Sequence, residues 1–376
     1  MRTHSLHGVR RVWLIGPLVL VACNNSAVVL PPGVQAVVDI GAHTRWMTEG
    51  DDPWEVYVCH VPDNTQSAVY VGLPLRKALS PETVAATLDA KVGAYFDTLS
   101  HGKYHPRFGA GGEVTIEASD EPQACVDHAL AASSQRAHGV LVVADAEHNA
   151  NQAGGFANPG SECDAPPCRA ALTRRSAYVG AADFSTEWGD KQPMDLIEHE
   201  IGHALGWPHS GYDESLNNPA LSALDVMSNS AAPRDVHPER RDGPGALAIN
   251  MVAAGWIPTS SVAVIPASGA AVTLSPSGGE SGTRMAVVEI DDRSFLTIEL
   301  LAAEGFDDHL AATGVAVHLI EGDNATRTQT PLVGHSPYDD LLKDGETFTG
   351  SGWRVAIAAG WKATIQPIED APTVSG

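Results

Sequence analysis

Basic side chains are scarce in this chain. Its 376 residues hold 23 Lys and Arg against 46 Asp and Glu, a formal net charge of −23 at pH 7. A surface of that sign repels phosphate backbones, so nucleic acid is excluded as an expected partner. Long apolar runs are also missing. Beyond the N-terminal region no stretch approaches the roughly 18 continuous apolar residues that a spanning helix requires. Internal repeats and low-complexity tracts are absent, and with 43% hydrophobic and 18% charged residues the composition is that of a globular chain. The length exceeds the usual single domain of about 100–200 residues, so two folded units with extra segments are expected. Acidic pairs occur at Asp307-Asp308 and Asp339-Asp340, but without the spacing of an EF-hand loop. They keep Ca2+ only as a secondary cation.

Cysteine is sparse as well, with five in the chain. The first of them follows a distinctive leader. Arg2, Arg10 and Arg11 precede an apolar run over residues 12–22, the layout of a secretory signal and too short to span a bilayer. That run ends in Leu20-Val21-Ala22-Cys23, which resembles the bacterial lipobox. The resemblance implies cleavage before Cys23 and lipidation of its sulfur, with membrane contact only through that anchor; plain secretion is the alternative. Loss of residues 1–22 removes three arginines and no acids, taking the net charge to −26. The other cysteines, Cys59, Cys125, Cys163 and Cys168, are even in number in an exported chain, so two disulfides are expected. Cys163 and Cys168 flank the turn-prone DAPP and are the natural pair, which leaves Cys59 for Cys125 by elimination.

Residues 23–50 read as a polar tether or short pro-segment. From Trp54 onward, β-rich stretches (WEVYVCHV, VYVGLPL, GEVTIEA, GVLVVADA, SAYVGAADF) alternate with helical ones. Among the latter, SPETVAATLDAKVGAYFDTLS offers Ser80 as N-cap and Pro81 in the first turn, and ACVDHALAASSQRA follows. A further helix carries HEIGH, with Pro193 in its first turn, and GPGALAINMVAAGWIP closes at Gly255 and Pro258. The mixed order predicts an α+β (α/β-like) unit over 51–257. From 258 to 376, short β-like runs punctuated by Gly, Pro, Ser and Asp predict a smaller all-β, sandwich-like unit.

The chemistry concentrates in HEIGHALGWPHSG, residues 199–211. At helical spacing Met194, Ile197, Ile201 and Leu205 share one face, while His199 and His203 lie one turn apart on the other. Two imidazoles so placed can reach one tetrahedral zinc, and Glu200 beside them is suited to proton transfer. Gly206 can take the left-handed conformation that ends a helix, and Pro208 forbids its continuation. His209 can thereby swing back as a third ligand and leave one position open for water.

HEIGHALGWPH is similar to the long zinc signature H-E-x-x-H-x-x-G-x-x-H of the metzincin metalloproteases. The resemblance covers roughly residues 51–257 and is strongest over 195–230. It implies a mixed-sheet catalytic domain with an active-site helix and a methionine turn beneath the zinc, for which Met227 in LDVMSNS is suitably placed. Ser210 after the third histidine is as in the matrixin branch, but Trp207-Pro208 and the surroundings of Met227 are not, so no branch is assigned. The resemblance also implies a cleft-edge strand at Gly154, Gly155, Phe156 and Ala157, whose backbone would pair with an extended peptide. Residues 296–322 are similar to segments beyond the catalytic domain of some secreted metalloproteases. CHVPD at Cys59 resembles the matrixin cysteine switch over five residues, yet its place at the end of a β-like run, and the orphaning of Cys125, favour the disulfide.

The expected function is therefore a secreted or envelope-anchored zinc endopeptidase, with one catalytic Zn2+, Glu200 as general base and a protein or peptide as substrate. A catalytically inactive surface binding protein or adhesin, and a zinc amidase acting on cell-wall peptide, are the alternatives. His60, His101, His105, His128, His148, His237, His309, His318 and His335 have no ligand spacing and are expected in surface or polar-network roles. Tyr212 lies near the motif, but nothing in the sequence marks it, or any other side chain, as the group that stabilises an oxyanion.

Overall fold

A computed structural model describes residues 28–43, 48–62, 69–70, 73–74, 78–146, 154–160, 174–181, 184, 188, 191–211, 222–322, 328–333 and 340–368. Cys23, Cys163, Cys168, His148, Tyr212, His335 and Asp339 lie outside them. The first elements are α1 (Pro32–His43), β1 (Gly50–His60), a short hairpin of β2 (Val69–Tyr70) and β3 (Leu73–Pro74), α2 (Pro81–Leu99), β4 (Tyr104–Thr115) and α3 (Pro122–Ala132). They continue through β5 (Gly139–Ala144), β6 (Gly155–Asn158), β7 (Arg175–Val179), α4 (Asp195–Ala204), α5 (Ala232–Val236) and α6 (Ala248–Ala253). Five strands form one sheet in the order β4-β1-β5-β7-β6, all parallel except β6, which runs antiparallel at the edge.

The run GVLVVA becomes β5, buried at every position, as a central parallel strand covered on both faces must be. Alternation sends Leu141 and Val143 into the core with α2 and α4, and Val140 and Val142 into a second core with α3. The Cys59–Cys125 disulfide ties β1 to α3 within that second core, so Cys59 has no free thiol to act as a switch. At the opposite end of β1, buried Asp52 accepts from Trp54 Nε1 (2.9 Å), Tyr104 Oη (2.6 Å), His138 Nδ1 (2.8 Å) and Arg175 Nη2 (3.1 Å). Four donors around one carboxylate offset its desolvation and fix the strands they come from.

The segment 23–50, read as a tether or short pro-segment, contains α1, which buries Val34 and Val37 beside α6 and β11 because its apolar positions find a face to cover. Pro193 is not in the first turn of α4, which begins after Met194; the Met194 N–H is drawn out to the Arg241 carbonyl at 2.7 Å. α2 is capped as expected, Ser80 Oγ accepting from the Thr83 N–H.

The remaining strands are β8 (Val262–Val264), β9 (Ala270–Thr273), β10 (Met285–Glu289), β11 (Ser294–Leu301), β12 (Gly314–Glu321), β13 (Thr328–Pro331), β14 (Thr347–Gly350), β15 (Trp353–Ala358) and β16 (Lys362–Pro367). They form sheets of order β13-β12-β11-β10-β8 and β14-β15-β16-β9. Val288, Leu296 and Ile298 of the first share a core with Val355, Ile357 and Ile365 of the second, which is sandwich packing. The other face of the first sheet, with Met285, Val287 and Phe295, joins the core that holds α1, α2, α4 and α6. That is why β11 is buried at all eight positions. The whole is a mixed α/β architecture of several sheets and few helices, consistent with an α+β fold. No described helix is long and apolar enough to cross a membrane.

Candidate metal centre

The apolar face of α4 is as the spacing predicts: Met194, Ile197, Ile201 and Leu205 are buried. The polar face is covered too, since His199 and Glu200 are also buried. The helix ends where the glycine allows it. Gly206 has φ 85°, its N–H donates to the His203 carbonyl (2.9 Å), and the Trp207 N–H reaches back to the Gly202 carbonyl (3.0 Å). This is the paired 5→2 and 6→1 bonding of a Schellman turn, with a glycine in the left-handed position. Trp207 then plugs into an aromatic core, its ring 5.2 Å from Trp256 and edge-on to it, which fixes the direction in which Pro208 and His209 leave.

The result brings His199, His203 and His209 together; among the described residues no other group of three potential ligands converges. His209 Nε2 lies 3.2 Å from His199 Nε2 and 3.0 Å from His203 Nε2. Three nitrogens on a tetrahedral zinc, each about 2.0–2.1 Å from it, stand roughly 3.3 Å apart, close to these separations.

The tautomers support the same fit. A carbonyl oxygen only accepts, so His199 Nδ1 donates to Val226 O (2.7 Å) and His203 Nδ1 donates to Trp207 O (2.8 Å). Each therefore turns a lone pair on Nε2 towards His209. A neutral His209 can donate to one of them at most, leaving at least one pair of lone pairs face to face, and a cation in their midst relieves that opposition. Burial, followed by repulsion from His203, lowers the His199 pKa to about 3; burial, followed by repulsion from His209, lowers that of His203 to about 4. Both imidazoles are neutral at ordinary pH, the form that binds metal.

Met227 lies directly under α4. It is fully buried, and its Sδ sits against Gly202, where a side chain on that glycine would strike it. The same turn holds two of the histidine-bearing arms at once: Val226 O accepts from His199 Nδ1, and Met227 O accepts the Ser210 N–H at 3.0 Å. Asp225 accepts from Ser210 Oγ and from the Leu247 N–H. Of these supports only Met227 was legible beforehand. Backbone carbonyls leave no mark in a sequence, and Asp225 is one aspartate among many.

Glu200 Oε2 is buried and has no hydrogen-bond partner among the described residues, and burial raises the carboxyl pKa to about 8. A dication among the histidines would oppose that shift by direct attraction. The neighbouring Glu198 is also buried, but it turns away and accepts from the Gly243 N–H at 2.7 Å. Opposite Glu200 runs β6, the edge strand built from Gly155, Phe156 and Ala157, with Gly154 just before it. A methyl group on Gly155 would fall 2.6 Å from Glu200 Oε1, so the strand comes this close only because that residue is glycine. Phe156 stacks on Tyr178 at 5.0 Å, anchoring the edge to β7.

The acidic pair Asp307-Asp308 is engaged elsewhere: Asp307 accepts from the Gly245 N–H (2.8 Å), and Asp308 pairs with Arg240. Other histidines take polar-network roles, His60 with Asp145 and Glu113, His105 with Asp97, and His309 with the Ala223 carbonyl. Compared with known proteins, the chain matches no family model and no curated protein.

Proposed function

We propose that this chain is an exported zinc endopeptidase of metzincin type, held at a bacterial cell envelope through Cys23. The observation that carries the proposal is the convergence of three histidines, two of them on the helix that also bears buried Glu200, whose Oε2 has no hydrogen-bond partner among the described residues. His199, His203 and His209 would hold the ion. When bound, zinc supplies Lewis acidity, lowering the pKa of a water to about 7 and polarising a carbonyl. Glu200 receives the water proton on its carboxylate and delivers it to the nitrogen of the leaving amine. The exposed edge of β6 orients the substrate by backbone pairing, as an extended peptide adds to a sheet. The carbonyls of Val226 and Trp207 hold two of the imidazoles, and Met227 packs beneath the helix at Gly202, without entering the chemistry.

A purely binding scaffold has no use for Glu200. Burying an unpartnered carboxyl costs about 1–3 kcal/mol or more, which proton transfer would explain and a scaffold would not. The test is zinc analysis of the full mature chain with a diverse peptide library, wild type beside Glu200→Ala. About one zinc per chain is expected in both, with cleavage at least about 100-fold lower in the variant. Zinc retained with equal, negligible cleavage in both proteins would sink the enzyme reading.

A further inference from the structure

The loop that carries His209 is held from two sides, and one of them belongs to the C-terminal sandwich. On the helix side Ser210 is fixed by Met227 and Asp225. On the other side lies β13, the edge strand of the five-stranded C-terminal sheet. There the Gln329 carbonyl accepts from the Gly211 N–H at 3.0 Å, and Gln329 Nε2 donates to the Pro208 carbonyl at 3.2 Å. Ser210 also pairs with Gln329 as a parallel bridge. One residue thus grips the chain just before His209 and again two residues after it, and it does so while 1% exposed.

We infer that Gln329 is a positioning residue for the third metal ligand, so that the C-terminal sandwich completes the metal centre. The inference rests on reading the three histidines as ligands. Its physical basis is the geometry of the arms. His199 and His203 share the rigid frame of α4, whereas His209 lies beyond the end of that helix and is exposed. A ligand on a loop binds well only if the loop is already in place, and Gln329 supplies that order from a buried strand.

The test compares wild type with Gln329→Met, which keeps the side-chain length and the backbone bond but loses the amide donor, and with Gln329→Glu, which sets a carboxylate against the Pro208 carbonyl. Zinc affinity is measured by chelator competition, the Co2+ absorption spectrum reports the ligand set, and the melting temperature of the metal-free protein reports the fold. Zinc binding about 10–100-fold weaker is expected, more so for Gln329→Glu, with altered Co2+ bands and little change in the metal-free melting temperature. Wild-type zinc affinity and Co2+ spectra in both variants would overturn the inference and leave the proposed function standing. A wild type that takes up no zinc would bring down both. If the variants fold poorly, amide exchange of Gly211 in the wild type decides: protection that deepens with zinc supports the clamp, and exchange at the rate of an open loop overturns it.

Discussion

At Gly155 the added methyl of an alanine would meet Glu200 Oε1 at 2.6 Å and its Cγ at 2.7 Å. Neither β6 nor the carboxylate can yield without cost, since the strand is bonded to β7 and Glu200 is buried on α4. Under the proposed function, Gly155→Ala is therefore expected to displace the Glu200 carboxyl and lower peptide hydrolysis by about 10–100-fold, because a misplacement of about 1 Å can cost that much. The three histidines would stay put, so zinc content should not change. Metal analysis alongside peptide hydrolysis checks this, and undiminished turnover in the variant would refute it. The histidine cluster was readable, since His199, His203 and His209 are local in sequence and their spacing encodes one helical turn and a reversal. The role of Gly155 was not readable, as it depends on an approach across space.

Within α4, Gly202 sets two element-level effects against each other. Alanine is better than glycine in a helix interior by about 1 kcal/mol. Here its methyl would strike Met227 Sδ and approach Trp207 Cε3 to 3.1 Å, in a site with no room. Overpacking of that kind costs about 1–3 kcal/mol and more when a neighbouring turn must move. The packing term wins, so Gly202→Ala is expected to destabilise the protein by about 1–2 kcal/mol despite its higher propensity. Denaturant unfolding measures it, and a stabilised variant would contradict the argument. Element prediction followed the same division. The end of α4 at Gly206 was legible because glycine has a local conformational reason to be there. Strands β13 and β14, each four residues long, and the helix α1 were not, since short edge strands and a weakly marked helix gain their order from what they pack on.

Across the whole molecule, the segment 243–248 is strapped between the halves by carboxyl groups from four places. Glu198, Asp307, Asp225 and Glu299 accept from the N–H groups of Gly243, Gly245, Leu247 and Ala248. Burial raises the Glu299 pKa to about 8 and that of Asp307 to about 7. A carboxyl raised on folding keeps a proton that the unfolded chain has lost. Its stabilising contribution is full below the unfolded value near 4.5 and is lost as pH rises through about 8. His318, whose pKa burial lowers to about 4, acts in the opposite sense but only below about 6.5. Between about pH 6.5 and 8.5 the melting temperature is therefore expected to fall as pH rises, with a shallower fall in Glu299→Gln, which retains an acceptor for Ala248. Thermal melts across that window test it, and parallel curves for the two proteins would count against it. The sequence by itself determined the histidine constellation, the turn that returns its third member, the β character of the C-terminal region and the acidic surface. All of these arise from residues near one another in the chain or from composition. Only the tertiary structure decided that β6 passes against Glu200, that the carbonyls of Val226 and Trp207 hold the imidazoles, and that Gln329 grips the loop of His209. Apart from the Trp207 carbonyl, four residues beyond His203, those contacts join residues tens to more than a hundred positions apart, and hydrogen bonds to backbone carbonyls and close approaches at glycines carry no local pattern from which they could be read.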